Sequence, residues 1–151
     1  MRFVYAVAFV DDSFVMVRNR LKGSWEMPGG IVEPGESDED AVRREFSEET
    51  GMCFVPVSKM GVSDGVAFFG SAEELGDWPW PECVKDMRLS DKAELSEVPM
   101  FRIPKLAEDV SEVALFDQLP PDISYRREEY KTVLQEARSA VKRYVPLRNR
   151  T

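Results

Sequence analysis

The chain has no histidine, and that single absence removes several chemistries. Without imidazole there is no Ser-His-Asp relay, no histidine-ligated zinc and no histidine general base. Cysteine is nearly as scarce. Cys53 and Cys83 stand far apart with no C-x-x-C spacing, which leaves out a thiolate metal site and a redox pair. Two lone thiols read as reduced, and so place the protein in the cytoplasm. Long apolar runs are also missing. The longest, Phe3 to Val10, ends at Asp11-Asp12, too short to cross a bilayer and without a cleavage site, so it reads as a buried strand. No membrane partner follows. Positive charge is in deficit, with 20 Lys and Arg against 28 Asp and Glu and a net charge of −8. With no dense basic run and no aromatics interleaved among bases, nucleic acid as the main partner is disfavoured.

What remains is an ordinary globular composition, 43% apolar and 32% charged over 151 residues, enough for one domain around one core. The chain shows no internal repeats and no linker. Monomer and homodimer are both compatible with it.

The most informative stretch runs from Gly30 to Met52. From Ser37 to about Thr50 it predicts a helix. Ser37 is a suitable N-cap with acid at Asp40, three residues on, in a variant of the capping box. Asp38, Glu39 and Asp40 lie at the positive end of the helix dipole, and Gly51 supplies the stop. A step of about 100° per residue gathers Ala41, Val42 and Phe46 on one side and sends Arg43, Ser47 and Thr50 outward. Glu45, Glu48 and Glu49 share an arc bordering the apolar stripe. Carboxylates so placed repel, by a few tenths of a kcal/mol per pair (~0.2–0.5) even in water, and more beside a buried face. Arg44 is one cation within reach. Hard divalent ions, Mg²⁺ or Mn²⁺, are the natural others for carboxylate oxygens.

An E-F-S-E-E segment alone is as readily a solvated acidic helix. The flanks decide, because the stretch fits G-x5-E-x7-R-E-U-x-E-E-x-G-U (U apolar) at every specified position. By average residue usage a chance match is on the order of 10⁻⁷. The chain therefore resembles the Nudix hydrolase family, of the MutT type. W-E-M-P-G-G ahead of the helix resembles the usual Nudix approach, and implies a short strand ending in a turn at Gly29-Gly30.

The resemblance implies an α/β fold, an α/β/α sandwich with a mixed sheet, and Mg²⁺- or Mn²⁺-dependent cleavage of a nucleoside diphosphate linked to a group X. It implies that Glu48, Glu49 and the Gly30 carbonyl coordinate the metal. Glu45 is a ligand or the general base, Arg44 orients Glu45, and Glu36 supports the Arg44 end. Glu112, just before the last strand, is a further candidate ligand, with a solvated loop glutamate as the alternative. Arg18 is placed like a residue that touches substrate phosphates, or is a surface charge. Phe68 stacks a base or packs the core. The downstream S-E-V-A-L-F-D-Q-L-P resembles small MutT-type enzymes and favours a nucleoside triphosphate, cleaved to monophosphate and pyrophosphate. ADP-ribose, ADP-sugars and dinucleotides are the alternative substrates. A non-catalytic nucleotide-binding module is the alternative class, although such domains usually lose box glutamates and this chain keeps them.

Elsewhere the pattern predicts a hairpin of Phe3–Val10 with Phe14–Val17, strands over Phe54–Val57 and Gly61–Phe69, the second interrupted at Ser63-Asp64-Gly65, and a last strand over Val113–Phe116. A terminal helix from about Tyr125 to Tyr144 carries Tyr130, Val133, Leu134, Ala137 and Val141 at helical spacing. Residues from Ser71 to Lys105 read as a long recognition loop.

Overall fold

The computed structural model describes residues 2–73, 100–101, 110–123 and 125–144. Most of the expected recognition loop, with Trp78, Trp80 and Cys83, lies outside the described residues.

The apolar run at the start is strand β1, Phe3–Val10. Alternation sends Val4, Ala6, Ala8 and Val10 to one face and Tyr5, Val7 and Phe9 to the other, and both sets are buried. A strand apolar on both faces needs a layer on each. One layer is helix α1, Asp38–Thr50, whose Ala41, Val42 and Phe46 pack on the first face. The other is helix α2, Arg127–Tyr144, whose Tyr130, Val133, Ala137 and Ala140 pack on the second.

The expected hairpin forms, with β2 spanning Ser13–Asn19. Its partner on the far side is β8, Val110–Phe116, which in turn pairs with the short β7, Met100–Phe101. On the other flank β6, Gly65–Glu73, runs parallel to β1, and β5, Cys53–Val62, pairs antiparallel with β6. The order is β5-β6-β1-β2-β8-β7, a mixed sheet between two helical layers.

Several expected boundaries move. The interruption expected at Ser63-Asp64-Gly65 is the turn between β5 and β6, so the residues read as one interrupted strand from Gly61 are shared between two strands. Pro56 does not end β5, because that strand is at the sheet edge and takes a bulge between Pro56 and Ser58. The last strand begins at Val110, so Glu112 is inside it and not in a loop before it. The terminal helix starts at Arg127, with Tyr125 ahead of it.

One feature of the sheet makes room for a site. β1 and β2 pair only at their turn, Phe9 with Phe14 and Val10 with Ser13, and then part. Into the gap come β3, Trp25–Glu26, on β2, and β4, Gly29–Ile31, on β1. Gly29 and Gly30 thus lie in a strand, where a turn was expected. A groove of about 860 Å³ opens beside β4, with Gly30, Glu33 and Glu45 on one wall and Phe3 and Tyr125 on another.

Candidate active site

Helix α1 begins as its sequence requires. Ser37 is extended, and its Oγ accepts the Asp40 amide at 3.0 Å. The helix ends where Gly51 takes a left-handed φ of 76°, its amide donating to the Ser47 carbonyl at 2.9 Å. Thr50, expected outward, is fully buried. The chain doubles back after Gly51, so Thr50 Oγ1 donates to the Phe46 carbonyl at 2.7 Å and accepts the Met52 amide at 3.0 Å.

The three glutamates of the helix edge occupy graded environments. Glu49 is 5% exposed, whereas the side chains of Glu45 and Glu48 are 18% and 51% exposed. Arg44 is the hub. Its Nε and Nη2 grip both oxygens of Glu36 at 2.7 and 3.0 Å, while Nη1 reaches Glu45 at 2.8 Å and Glu48 at 3.2 Å. Glu33 stands 3.8 Å from the same nitrogen. Such a bidentate fork is stronger and more directional than a single ion pair. Hydrogen bonding to Arg44 is the main reason that the Glu36 pKa is lowered, and hydrogen bonding to Glu36 the main reason that the Arg44 pKa is raised.

Strand β4 completes the cluster. Val4 and Gly30 face each other as a hydrogen-bonded pair, since Ala6 N–H donates to Pro28 and Val32 N–H donates to Arg2 on either side of it. The Gly30 carbonyl, expected to face a metal, is therefore committed to the ladder with Val4. Gly29 alternates with it and points the other way: its amide donates to Glu49 Oε1 at 3.1 Å. By the same alternation the Gly29 carbonyl lies on the outer edge with that amide. Gly30 serves the site by having no side chain. A Cβ there would run into the Glu45 carboxylate, and a Cβ at Gly29 would run into the Val4 backbone.

The other expected residues are placed elsewhere. Arg18 and Glu112 sit opposite each other on β2 and β8, 3.3 Å apart. Arg18 also donates to the Gly23 carbonyl at 2.9 Å and lies 5.5 Å over the Trp25 ring. The structure thus joins Arg18 and Glu112 to each other and not to α1. Phe68 is 4% exposed, part of the core under α1, with Lys59 over its ring, and it does not line the groove beside Glu45. Its place is a packing position. Sequence reasoning missed Gly29, Lys22 and Tyr125, all of which line that groove. Non-local pairing brings them there, and no local pattern marks it.

Among the described residues no three acidic, histidine or cysteine side chains converge on one point as they stand. Arg44 Nη1 occupies the space between Glu45 and Glu48. The donor chemistry nonetheless suits a hard divalent cation: carboxylates of graded exposure, an outward backbone carbonyl, and acids that outnumber the one guanidinium. An ion would need only that Nη1 release Glu48, while the fork to Glu36 stays.

A family model described as the NUDIX domain matches residues 2–115. YvcI of Bacillus subtilis, an uncharacterized Nudix hydrolase, is 38% identical over 61 residues, which cover 40% of this chain and 39% of that protein. The ADP-ribose pyrophosphatase of Methanocaldococcus jannaschii is 42% identical over 55 residues, covering 34% of this chain and 32% of that protein. Each alignment therefore spans well under half of the relative. Among solved structures, a UDP-X diphosphatase aligns with a TM-score of 0.63 at 20% identity, over 92% of this chain and 63% of that one. At that identity the likeness speaks for the fold alone.

Proposed function

Because the chain belongs to the NUDIX domain family, matched over residues 2–115, we propose that it is a divalent-metal-dependent pyrophosphohydrolase of small nucleotides. The observation that carries this reading is the intact set Glu36, Arg44, Glu45, Glu48 and Glu49, in which Arg44 gathers Glu36, Glu45 and Glu48 and the Gly29 amide of β4 bonds Glu49. A polyanionic diphosphate cannot approach such a cluster unaided. Bound Mg²⁺ or Mn²⁺ would offset both charges and acidify a coordinated water.

The chain's own residues do the rest. Glu48, Glu49 and Glu45 would hold the cation, joined by the Gly29 carbonyl in place of that of Gly30. Arg44 fixes the Glu45 carboxylate, and Glu36 fixes Arg44. Glu45 or Glu48 takes the proton of the attacking water. Phosphoryl transfer asks chiefly for positioning and charge stabilisation, so no nucleophilic side chain and no histidine are needed. Arg18 and Glu112 pair with each other at 3.3 Å, and neither lines the groove beside β4.

The substrate favoured is a nucleoside triphosphate, cleaved to monophosphate and pyrophosphate, on the strength of the MutT-like S-E-V-A-L-F-D-Q-L-P segment. The likeness to an ADP-ribose pyrophosphatase supports ADP-ribose as the second reading. A panel of triphosphates, ADP-ribose and dinucleotides with Mg²⁺ separates them by product. Turnover of ADP-ribose but of no triphosphate would overturn the first choice. Turnover of none would overturn the enzyme reading.

A further inference from the structure

Arg44 faces more carboxylates than it can hold at once. Among the described residues, Glu33, Glu36, Glu45 and Glu48 all stand in ion-pair range of its guanidinium. Glu36 takes Nε and Nη2. Nη1 is shared by Glu45 at 2.8 Å and Glu48 at 3.2 Å, with Glu33 at 3.8 Å. The acids around Nη1 differ in origin. Glu45 and Glu48 belong to the helix edge that suits a cation, whereas Glu33 comes from the connection between β4 and α1. Once Glu48 turns to a divalent ion, Nη1 loses an acceptor and has a like charge beside it. Glu33 is then the acid in range that neither the fork nor the cation claims.

The backbone of Glu33 is built into the same unit as the fork. Glu33-Pro34-Gly35-Glu36 makes a tight turn with the signature of type II. Proline takes the second position, Gly35 takes a φ of 82° in the third, and the Glu36 amide donates to the Glu33 carbonyl at 3.0 Å. The Glu33 amide donates in turn to Glu36 Oε1 at 3.0 Å, and that same oxygen accepts Arg44 Nη2 at 3.0 Å. One carboxylate oxygen therefore ties the Glu33 backbone to the guanidinium. Arg44 Nη2 also reaches the Ile31 carbonyl at 3.3 Å, on the strand that leads into the turn. Only the Glu33 side chain is loose, 64% exposed on a held backbone. A shift of about 1 Å would bring its carboxylate into hydrogen-bonding distance of Nη1.

We propose that Glu33 is a positioning residue that takes Arg44 Nη1 as Glu48 leaves it for a divalent cation. The guanidinium then keeps its charge balanced, by Glu36 on the fork and by Glu33 in place of Glu48, and its hold on Glu45 survives the exchange. The assignment rests on the proposed metal-dependent chemistry and adds to it the residue that lets the helix edge give up a glutamate without stranding the arginine beside the ion.

The Mn²⁺ affinity of the full chain, read without substrate from the paramagnetic resonance of the free ion, tests the exchange independently of turnover. Glu33→Gln should weaken binding about two- to fivefold, the worth of a partly exposed ion pair. Glu33→Asp keeps the charge but draws it back by one methylene (~1.5 Å), and should weaken binding as much as Gln does. A field acting through space would instead leave Glu33→Asp like the native chain. At saturating Mg²⁺, kcat should fall by a similar factor in both variants with KM nearly unchanged, because Nη1 also holds Glu45. Melting in EDTA should match the native chain, since Glu48 occupies Nη1 when no ion is bound. Native-like Mn²⁺ affinity in Glu33→Asp or in both variants, or a lowered melting temperature in EDTA that accounts for the loss, would overturn the exchange. Hydrolysis is read separately, by phosphate release with Mg²⁺. A chain that shows these losses of Mn²⁺ but cleaves nothing loses only the enzymatic reading. One that binds Mn²⁺ and cleaves while ignoring both substitutions loses only the exchange, and a native chain that binds no Mn²⁺ loses both.

Discussion

Gly29 and Gly30 are neighbours with different reasons for being glycine. A Cβ on Gly29 meets the immovable Val4 backbone, whereas one on Gly30 meets the tip of a flexible glutamate. Gly29→Ala should therefore lower the melting temperature and yield little folded protein. Gly30→Ala should fold but push Glu45 aside, with turnover down about 10- to 100-fold, as for other changes that misorient a ligand. Circular dichroism melts alongside initial rates separate the two; equal melts and equal rates would contradict the argument. Arg44→Lys keeps the charge and loses the fork, so a similar loss of rate is expected with far-UV spectra unchanged. The Arg44 fork also sets a pH dependence. The folded-state pKa of Glu36 is depressed below its ordinary value of 4.5, chiefly by hydrogen bonding to Arg44. Its stabilising effect is thus complete above that value and is lost as pH falls through the lowered one. Melting temperature should drop more steeply for the native chain than for Glu36→Gln as pH is taken below 4.5, and parallel curves would contradict the assignment.

At the scale of elements, helix α1 was the most legible part of the sequence, since its cap, dipole acids, apolar stripe and stop are all local signals. Replacing Ser37 by Ala should cost about 1 kcal/mol, read by denaturant titration, with activity retained. Thr50 was misplaced because helical angle gives direction and not what folds over it. Its burial follows from the reversal at Gly51, and Thr50→Val should cost about 1–3 kcal/mol by leaving the Met52 amide unpaired. The strand at Gly29-Gly30 was unreadable for a related reason: glycine pairs signal turns locally, and only pairing with β1 makes this one a strand. Glu112 looked like a loop acid because Val110–Glu112 carries no clear alternation, and its cross-strand partner Arg18 is 94 residues away.

At the scale of the molecule, β1 apolar on both faces predicted helices on both faces, and the two cores on either side of the sheet are that layering. The groove could not be foreseen. It arises where β1 and β2 separate and two short strands fill part of the gap, and such a divergence depends on register over the whole sheet. The acids on α1 mean little in isolation. Their meaning comes from β4, which carries the Glu49 anchor, the space for Glu45 and the outward carbonyl of Gly29 against the same helix edge. The account as a whole asks that this edge hold a divalent cation. Crystals of the full chain soaked in Mn²⁺ and measured at the manganese absorption edge test it most directly. The expected result is an anomalous peak touching Glu48 and Glu49, with Arg44 turned away from Glu48 and still gripping Glu36. Saturating Mn²⁺ with no peak there, and Arg44 still between Glu45 and Glu48, would contradict the account.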